Sequence, residues 1–180
     1  MEWEELSVGE LDEAWELAVA EAEMRARIAG RKDVAEYLAL RASNDLVRQT
    51  AIEWLMATFT VLAGEANRTG GSIQMLQDDK HRFKLRNATM VGRLLTLKSG
   101  VRTLSIEAGW PRAPSDGFVR GGGLACANIR HMGIKSANQE LMLTRDARGV
   151  PGWVITGVGS HKEMHEANAR EHLRLLQHVP

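Results

Sequence analysis

Residues 82–108, RFKLRNATMVGRLLTLKSGVRTLSIEA, constrain the fold more than any other stretch, because apolar and polar residues alternate on both sides of one short turn. A period of two puts every second side chain on one face of a strand. Ser99-Gly100 is a two-residue loop of the glycine-containing kind that joins antiparallel strands. With that loop Lys98 pairs with Val101. Counting outward sets Leu97 opposite Arg102, Thr96 opposite Thr103, Leu95 opposite Leu104 and Arg93 opposite Ile106. One face then collects Leu95, Leu97, Leu104, Ile106 and Ala108, and the other Thr96, Lys98, Thr103, Ser105 and Glu107. A slip of one residue would turn every side chain to the wrong face, so the agreement between turn and pattern supports the hairpin. Upstream, Phe83 and Leu85 alternate with Arg82, Lys84 and Arg86, which predicts a further strand with one basic face and a bend at Gly92.

Period two extends from Ser72 to Thr156 and divides into seven candidate strands, 72–77, 82–90, 93–98, 101–109, 119–131, 139–145 and 152–157. Asp78-Asp79-Lys80 and the segment Asp146 to Gly149 read as hairpin loops. Residues 110–117, WPRAPSDG, form the longest irregular stretch, and its two prolines and glycine predict a structured loop. Before the strands the period is helical. Leu11, Trp15, Ala18, Val19 and Ala22 recur at spacings of three and four in a helix over 9–29, capped by Gly30. A second helical region over 32–68 has a break at Ser43-Asn44-Asp45, a run of N-capping residues, and ends at Thr69-Gly70-Gly71. Its part 46–66 carries Trp54, Leu55, Met56, Phe59, Val61 and Leu62 on a wide arc, as in a helix buried on more than one side against the sheet. A last helix covers 160–179, with Ser160 and Glu163 in capping-box spacing.

The order predicts an α+β fold: N-terminal helices, a twisted antiparallel sheet of six or seven strands, then a C-terminal helix packed on it. The expected organisation is a helical region 1–68 and a sheet with its helix over 69–180, together one cooperative domain. A chain of 180 residues buries roughly 70% of its unfolded surface, so it needs neither disulfide nor metal to fold. A single cysteine, Cys126, excludes an internal disulfide and fits a reducing compartment. No run of about 18 uncharged apolar residues is present, which argues against a membrane span. The acidic start, MEWEELSVGELDE, has no signal-peptide pattern, and a cytoplasmic protein is the expectation.

Formal net charge is zero, but the charges are segregated. Residues 1–24 hold nine acids and no Lys or Arg, while residues 80–135 hold eleven Lys or Arg and two acids, Glu107 and Asp116. Lys80, Arg82, Lys84 and Arg86 alternate along a strand and so share a face suited to phosphate or carboxylate groups, with Arg112 and Arg120 as further candidates in loops. The alternative is a solvated face, or one neutralised by the acidic first helix in cis or from a second subunit. Phe83 points away from this face, and no RNP-type aromatic run accompanies it.

Other chemistry finds less support. His161 and His165 at i and i+4 of the last helix could chelate a metal, with a third ligand from His131 or His81 and Glu166 or Glu107 as base, but HExxH is absent. These two with His172 share the apolar stripe of Leu175, Leu176 and Val179, so histidines packed at a helix–sheet interface are the favoured reading. Arg120-Gly121-Gly122-Gly123 precedes strand-like LACANIRHM rather than a helix, so it is no phosphate loop but a bulge or flexible lead into a strand. Cys126 reads as a buried, inert thiol. No motif requires a cofactor. The leading expectation is therefore a non-enzymatic binding module whose basic sheet face takes nucleic acid or an acidic protein segment. The alternatives are the metal-dependent enzyme, small-ligand binding in a sheet–helix pocket, and a homo-oligomeric structural subunit whose exposed Trp3 or Trp110 marks a protein contact.

Overall fold

The computed structural model describes residues 8–157 and 162–177, with the side chains of 17–157 and 162–177. Helices α1 (Val8–Ile28) and α2 (Lys32–Arg68) come first. Seven strands follow: β1 (Gln74–Leu85), β2 (Ala88–Ser99), β3 (Arg102–Trp110), β4 (Ala125–His131), β5 (Gln139–Arg145), β6 (Pro151–Thr156) and β7 (Lys162–Glu163). Helix α3 (Glu166–Gln177) comes last. Each strand pairs antiparallel with its neighbour in sequence, giving a twisted meander with β1 and β7 as its edges. The class is α+β, and the sheet is open. No helix of the described residues is long and apolar enough to cross a membrane.

Both N-terminal helices stop at glycines that adopt a left-handed φ. Gly30 (φ 72°) and Gly70 (φ 102°) each follow the last helical turn. The paired bonds Arg31 N–H to Ala26 O and Gly71 N–H to Ala66 O, 2.8 and 2.9 Å, close a Schellman motif at each end. Asn67 then ties the α2 terminus to the chain leaving it, donating to Ile73 O at 2.8 Å and accepting from Ile73 N at 2.7 Å. Contrary to expectation, α2 runs unbroken through Ser43-Asn44-Asp45. Capping residues in a helix interior cost less than about 0.7 kcal/mol each, and neither proline nor glycine is present there to remove a backbone bond. The chain divides into two compact units, Met1–Val47 and Arg48–Pro180.

In the second unit the core forms on one face of the sheet. Leu95, Leu97, Leu104, Ile106, Ala108, Ile129, Leu141 and Leu143 are buried there with Leu55, Phe59 and Leu62 of α2 and Ala169, Leu173 and Leu176 of α3. Trp153 donates through Nε1 to Ala51 O at 3.0 Å, fixing α2 on β6. Trp54 and Val61 are exposed, so this part of α2 is apolar on one side, narrower than its composition implied. Trp110, expected at the surface, is 4% exposed. Trp3 lies outside the described residues.

The hairpin register differs from the predicted one by two residues. Ser99 pairs with Arg102, Leu97 with Leu104 and Leu95 with Ile106, so the turn is Gly100-Val101. Gly100 takes φ 57°, and Val101 does not have a positive φ, the pattern of a type II′ turn with glycine first. A shift of two preserves the faces, which is why the predicted buried set still holds.

Further differences concern β1 and β2. The expected loop Asp78-Asp79-Lys80 is an irregularity within a single strand, where the register shifts between Asp78 and His81. The hairpin turn is instead Arg86-Asn87. Gly92 does not separate two strands but lies inside β2, paired with Gly109. A Cβ at Gly92 would fall 1.9 Å from Ala108 O, and one at Gly109 2.6 Å from Val91 O, so the two backbones approach in a way only glycine permits. Beyond this pair the buried residues of β2 change parity, from Leu95 and Leu97 to Ala88 and Met90. Ala88 and Met90 join Phe83 and Cys126, with Leu85 and Val119 against them, in a second small cluster on the opposite face of the sheet.

The fifth predicted strand, 119–131, shortens to Ala125–His131 because Gly121 and Gly122 take φ 72° and 73°, turning the chain through a 3-10 segment first. The last helix starts at Glu166 rather than 160, with Lys162–Glu163 forming the edge strand. His165 is its N-cap, its N–H donating to Asn168 Oδ1 at 3.0 Å. The expected cap at Ser160 falls outside the described residues.

Candidate anion-binding site

Lys80, Arg82, Lys84 and Arg86 do not make one row. Arg82 pairs with Val91 and Lys84 with Thr89, so these two share a face as the alternation requires. Lys80 sits in the irregular segment, its N–H bound to Asp78 Oδ1 at 2.9 Å, where the alternation is interrupted. Arg86 is in the turn at φ 55°, among the described residues the single non-glycine residue with a positive φ. A left-handed conformation costs an L-residue about 1–2 kcal/mol, and glycine or asparagine is the usual occupant.

The loop between β3 and β4 brings further cations to this turn. Asp116, 15% exposed at its side chain, organises the loop. Its Oδ2 accepts from the backbone N–H groups of Arg112 and Ala113 at 3.3 and 3.1 Å, and its Oδ1 lies 3.6 Å from Arg82 Nη2. The next residue, Gly117 (φ 90°), lies so close to the β1–β2 turn that a Cβ there would be 3.2 Å from Ala88 Cα. Arg112 holds its guanidinium 3.5 Å above the Trp110 ring. Arg120 is exposed in the 3-10 turn at the far end of the same loop. The fold therefore gathers Arg82, Lys84, Arg86 and Arg112 at one end of the sheet, places Arg120 in the same loop, and leaves Lys80 apart. Arg86 also lies 3.9 Å from Glu140, but that pair and Arg82–Asp116 involve guanidinium groups about 60% exposed, so they orient the arginines without cancelling them.

Phe118, between Arg112 and Arg120, is 77% exposed. The sequence offered no sign of this ring, because nothing in an irregular loop tells an inward from an outward aromatic.

On the face that carries the second cluster, Glu107 is held by three groups. His81 Nε2 donates to one oxygen at 2.8 Å, while Asn128 Nδ2 and Arg130 Nη2 approach the other at 2.9 and 3.6 Å. Both oxygens of Glu107 thus carry donors, with three of its roughly four acceptor positions occupied. Asn128 Oδ1 is buried without a partner among the described residues. Cys126, also buried, has its thiol pushed up to about 11, by burial first and then by Glu140, against the opposing charge of Arg86. Its thiolate is suppressed at neutral pH.

Lys162–Glu163 is strand and α3 starts at Glu166, so the helical i and i+4 relation expected between His161 and His165 is not formed. His165 lies before the helix rather than on it and is exposed near Glu163 at 3.9 Å, and His161 is outside the described residues. His81 and His131 are committed elsewhere, the first to Glu107 and the second to His172. The described residues contain no group of three His, Cys, Asp or Glu placed to hold a metal ion. A groove of about 290 Å³ runs between the end of α2 and α3, lined by Leu62, Glu65, Arg170 and Leu173 among others.

His172 packs between α3 and the sheet, as expected of the histidines on the last helix, in a buried polar chain whose other members the sequence does not identify. His172 Nε2 lies 3.1 Å from Gln139 Oε1, an oxygen that can only accept, so this nitrogen carries the proton. Nδ1 of His172 then accepts from His131 Nε2–H at 2.8 Å, with the rings stacked 5.1 Å apart. Both rings are neutral. Burial holds both below the usual histidine range, His172 at about 4, with the charge of Arg102 adding to the effect on His131.

The chain matches no family model, no curated protein and no solved structure.

Proposed function

We propose that the protein is a non-enzymatic binding module, and that the β1–β2 turn with the β3–β4 loop takes single-stranded nucleic acid. The observation that carries this reading is the exposed Phe118 ring among arginines. An exposed aromatic stacks on any base, while guanidinium groups on either side follow the phosphates, and both are needed for a strand held without sequence readout. Arg82, Arg86 and Arg112 supply forked donors that suit phosphate, and Lys84 adds a point charge. Arg86 adds a second line of support. A residue kept in a costly turn conformation with its charged end exposed is an outlier of the sort that accompanies function. An acidic protein segment would use the same cations but has no need of the ring.

The test is fluorescence anisotropy with a labelled single strand and the matching duplex, at low and physiological salt. The reading expects binding that favours the single strand and weakens as salt rises. Phe118→Ala should reduce affinity by about 5- to 100-fold with the salt slope unchanged, since base stacking contributes about 1–3 kcal/mol. Arg82→Ala and Arg112→Ala should each make the slope shallower by about 0.7. Absence of binding at low salt refutes the proposal. Binding that ignores Phe118 but follows the arginines points to an acidic protein partner.

A further inference from the structure

The described side chains of the first compact unit, residues 17–47, bury little apolar surface. Among its described side chains Ala26 and Ala35 are the buried apolar ones, whereas Leu17, Met24, Ile28, Tyr37, Leu40 and Leu46 are each 60% or more exposed. Helices in water are held by the packing of their apolar faces rather than by propensity, and a unit of this size seldom holds a sufficient core alone. On α1 the exposed residues form one stripe. Met24 and Ile28 follow Leu17 by seven and eleven positions, about two and three turns, so the three lie within about 40° of one another. The less exposed residues of α1, Val19, Ala22, Glu23 and Ala26, occupy the opposite side. A helix that is apolar on two opposite sides has the pattern of one covered on both.

Charge indicates what covers the second side. The first half of α1 carries Glu10, Asp12, Glu13 and Glu16 and no base. Its second half, with the residues just after it, carries Arg25, Arg27, Arg31 and Lys32 against Glu21 and Glu23, which pair with Arg25 and Arg27 in the same copy and leave that end net positive. Two copies of α1 laid parallel would set acid against acid. Laid antiparallel, the acidic half of each meets the basic end of the other. With the two-fold axis between Ala20 and Glu21, Leu17 of one copy stands opposite Met24 of the other, Glu16 opposite Arg25 and Glu10 opposite Arg31, while Ile28 falls opposite Glu13 at the margin of the contact.

We infer that the exposed face of α1 is the interface between two copies of this chain, packed antiparallel through Leu17 and Met24 and flanked by the Glu16–Arg25 and Glu10–Arg31 pairs. Sedimentation equilibrium of the full chain should show a dimer that dissociates on dilution. Leu17→Glu with Met24→Glu should weaken it by about 100-fold or more, since burying each side chain is worth at least about tenfold. Denaturation of the sheet unit should not change, because both residues are exposed within one copy. Glu10→Lys with Glu16→Lys should also weaken the dimer, and adding Arg31→Glu and Arg25→Glu, their partners across the axis, should restore it. Chains carrying Leu17→Cys mixed with chains carrying Met24→Cys should form the mixed disulfide in preference to either symmetric one, with Cys126 buried and silent. A monomer at every concentration overturns the inference. So does a dimer that ignores the stripe, a charge reversal without rescue, or symmetric Leu17→Cys cross-links that mark a parallel pair.

Discussion

The neutral His131–His172 pair makes the fold sensitive to mild acid, and the size of the effect follows from its geometry. His172 is 4% exposed, its Nε2–H is committed to Gln139, and its Nδ1 accepts from His131. A second proton on His172 has nowhere to go without breaking the bond to His131. Its folded value of about 4 lies below the 6.5 of an unperturbed imidazole, so between these values the unfolded chain binds a proton that the folded one does not. Stability is therefore complete above about pH 6.5 and is lost as the pH falls toward 4. From pH 7 to pH 5 His172 alone accounts for about 2 kcal/mol, and the fully developed loss is about 3 kcal/mol. His131, shifted in the same direction, adds to it. For a chain of this length 2 kcal/mol lowers the melting temperature by about 4–8 °C. The assay is urea denaturation at pH 7, 6 and 5 for the native chain and for His172→Phe, a ring accommodated beside Phe59. The variant should be less stable at pH 7, because His131 Nε2–H and Gln139 lose their partner, by about 1–3 kcal/mol. Its further loss on acidification should be smaller than the native chain's by about 2 kcal/mol. Equal pH dependence in the two proteins, or a native chain that gains stability toward pH 5 as a pair sharing a proton would, refutes the reasoning.

Three other outcomes follow from local geometry. Arg86→Gly relieves the left-handed conformation and should change stability by between zero and about +1 kcal/mol in thermal or urea denaturation, while weakening nucleic-acid binding, so the two readouts move apart. Gly92→Ala would place a Cβ 1.9 Å from Ala108 O and should cost about 3 kcal/mol or more, seen as a sharply lower melting temperature or insoluble protein. Cys126, buried with its thiol raised to about 11, should resist Ellman's reagent in the native state at pH 8 and react fully in denaturant.

What could be read from the sequence was whatever a period of two or of 3.6 encodes by itself. The buried set Leu95, Leu97, Leu104 and Ile106 emerged correctly even though the turn was placed one residue early, because a register error of two leaves the faces unchanged. The helix stops at Gly30 and Gly70 were legible for the same kind of reason: one residue type serves one backbone conformation. The long basic strand was misjudged in its details. Asp78-Asp79-Lys80 has the composition of a loop, yet an edge strand tolerates charges and a register irregularity that a central strand would not. Arg86-Asn87 was passed over as a turn because arginine is an unusual residue for it.

The same two glycines account for the part of the site that no local pattern could announce. Up to Gly92 and Gly109 the sheet buries the face that meets α2 and α3; past them β2 buries the other face, around Phe83, Met90 and Cys126. Past the glycine pair the opposite face of β2 is the covered one, and that end of the sheet carries the β1–β2 turn. The β3–β4 loop lies against that end through Gly117, with Val119 packed on the second cluster, so Arg82, Arg86, Arg112 and Phe118 are neighbours by virtue of a core that contains none of them. A lesion in this second core should therefore act on binding as well as on stability. Met90→Ala should cost about 2–5 kcal/mol and loosen the loop's seat. Affinity for single-stranded nucleic acid should then fall at temperatures where the chain is still folded, with the salt slope retained, whereas Leu97→Ala in the other core should leave affinity intact up to the onset of unfolding. Equal effects of the two substitutions on affinity would separate the site from the second core and contradict the dependence argued here.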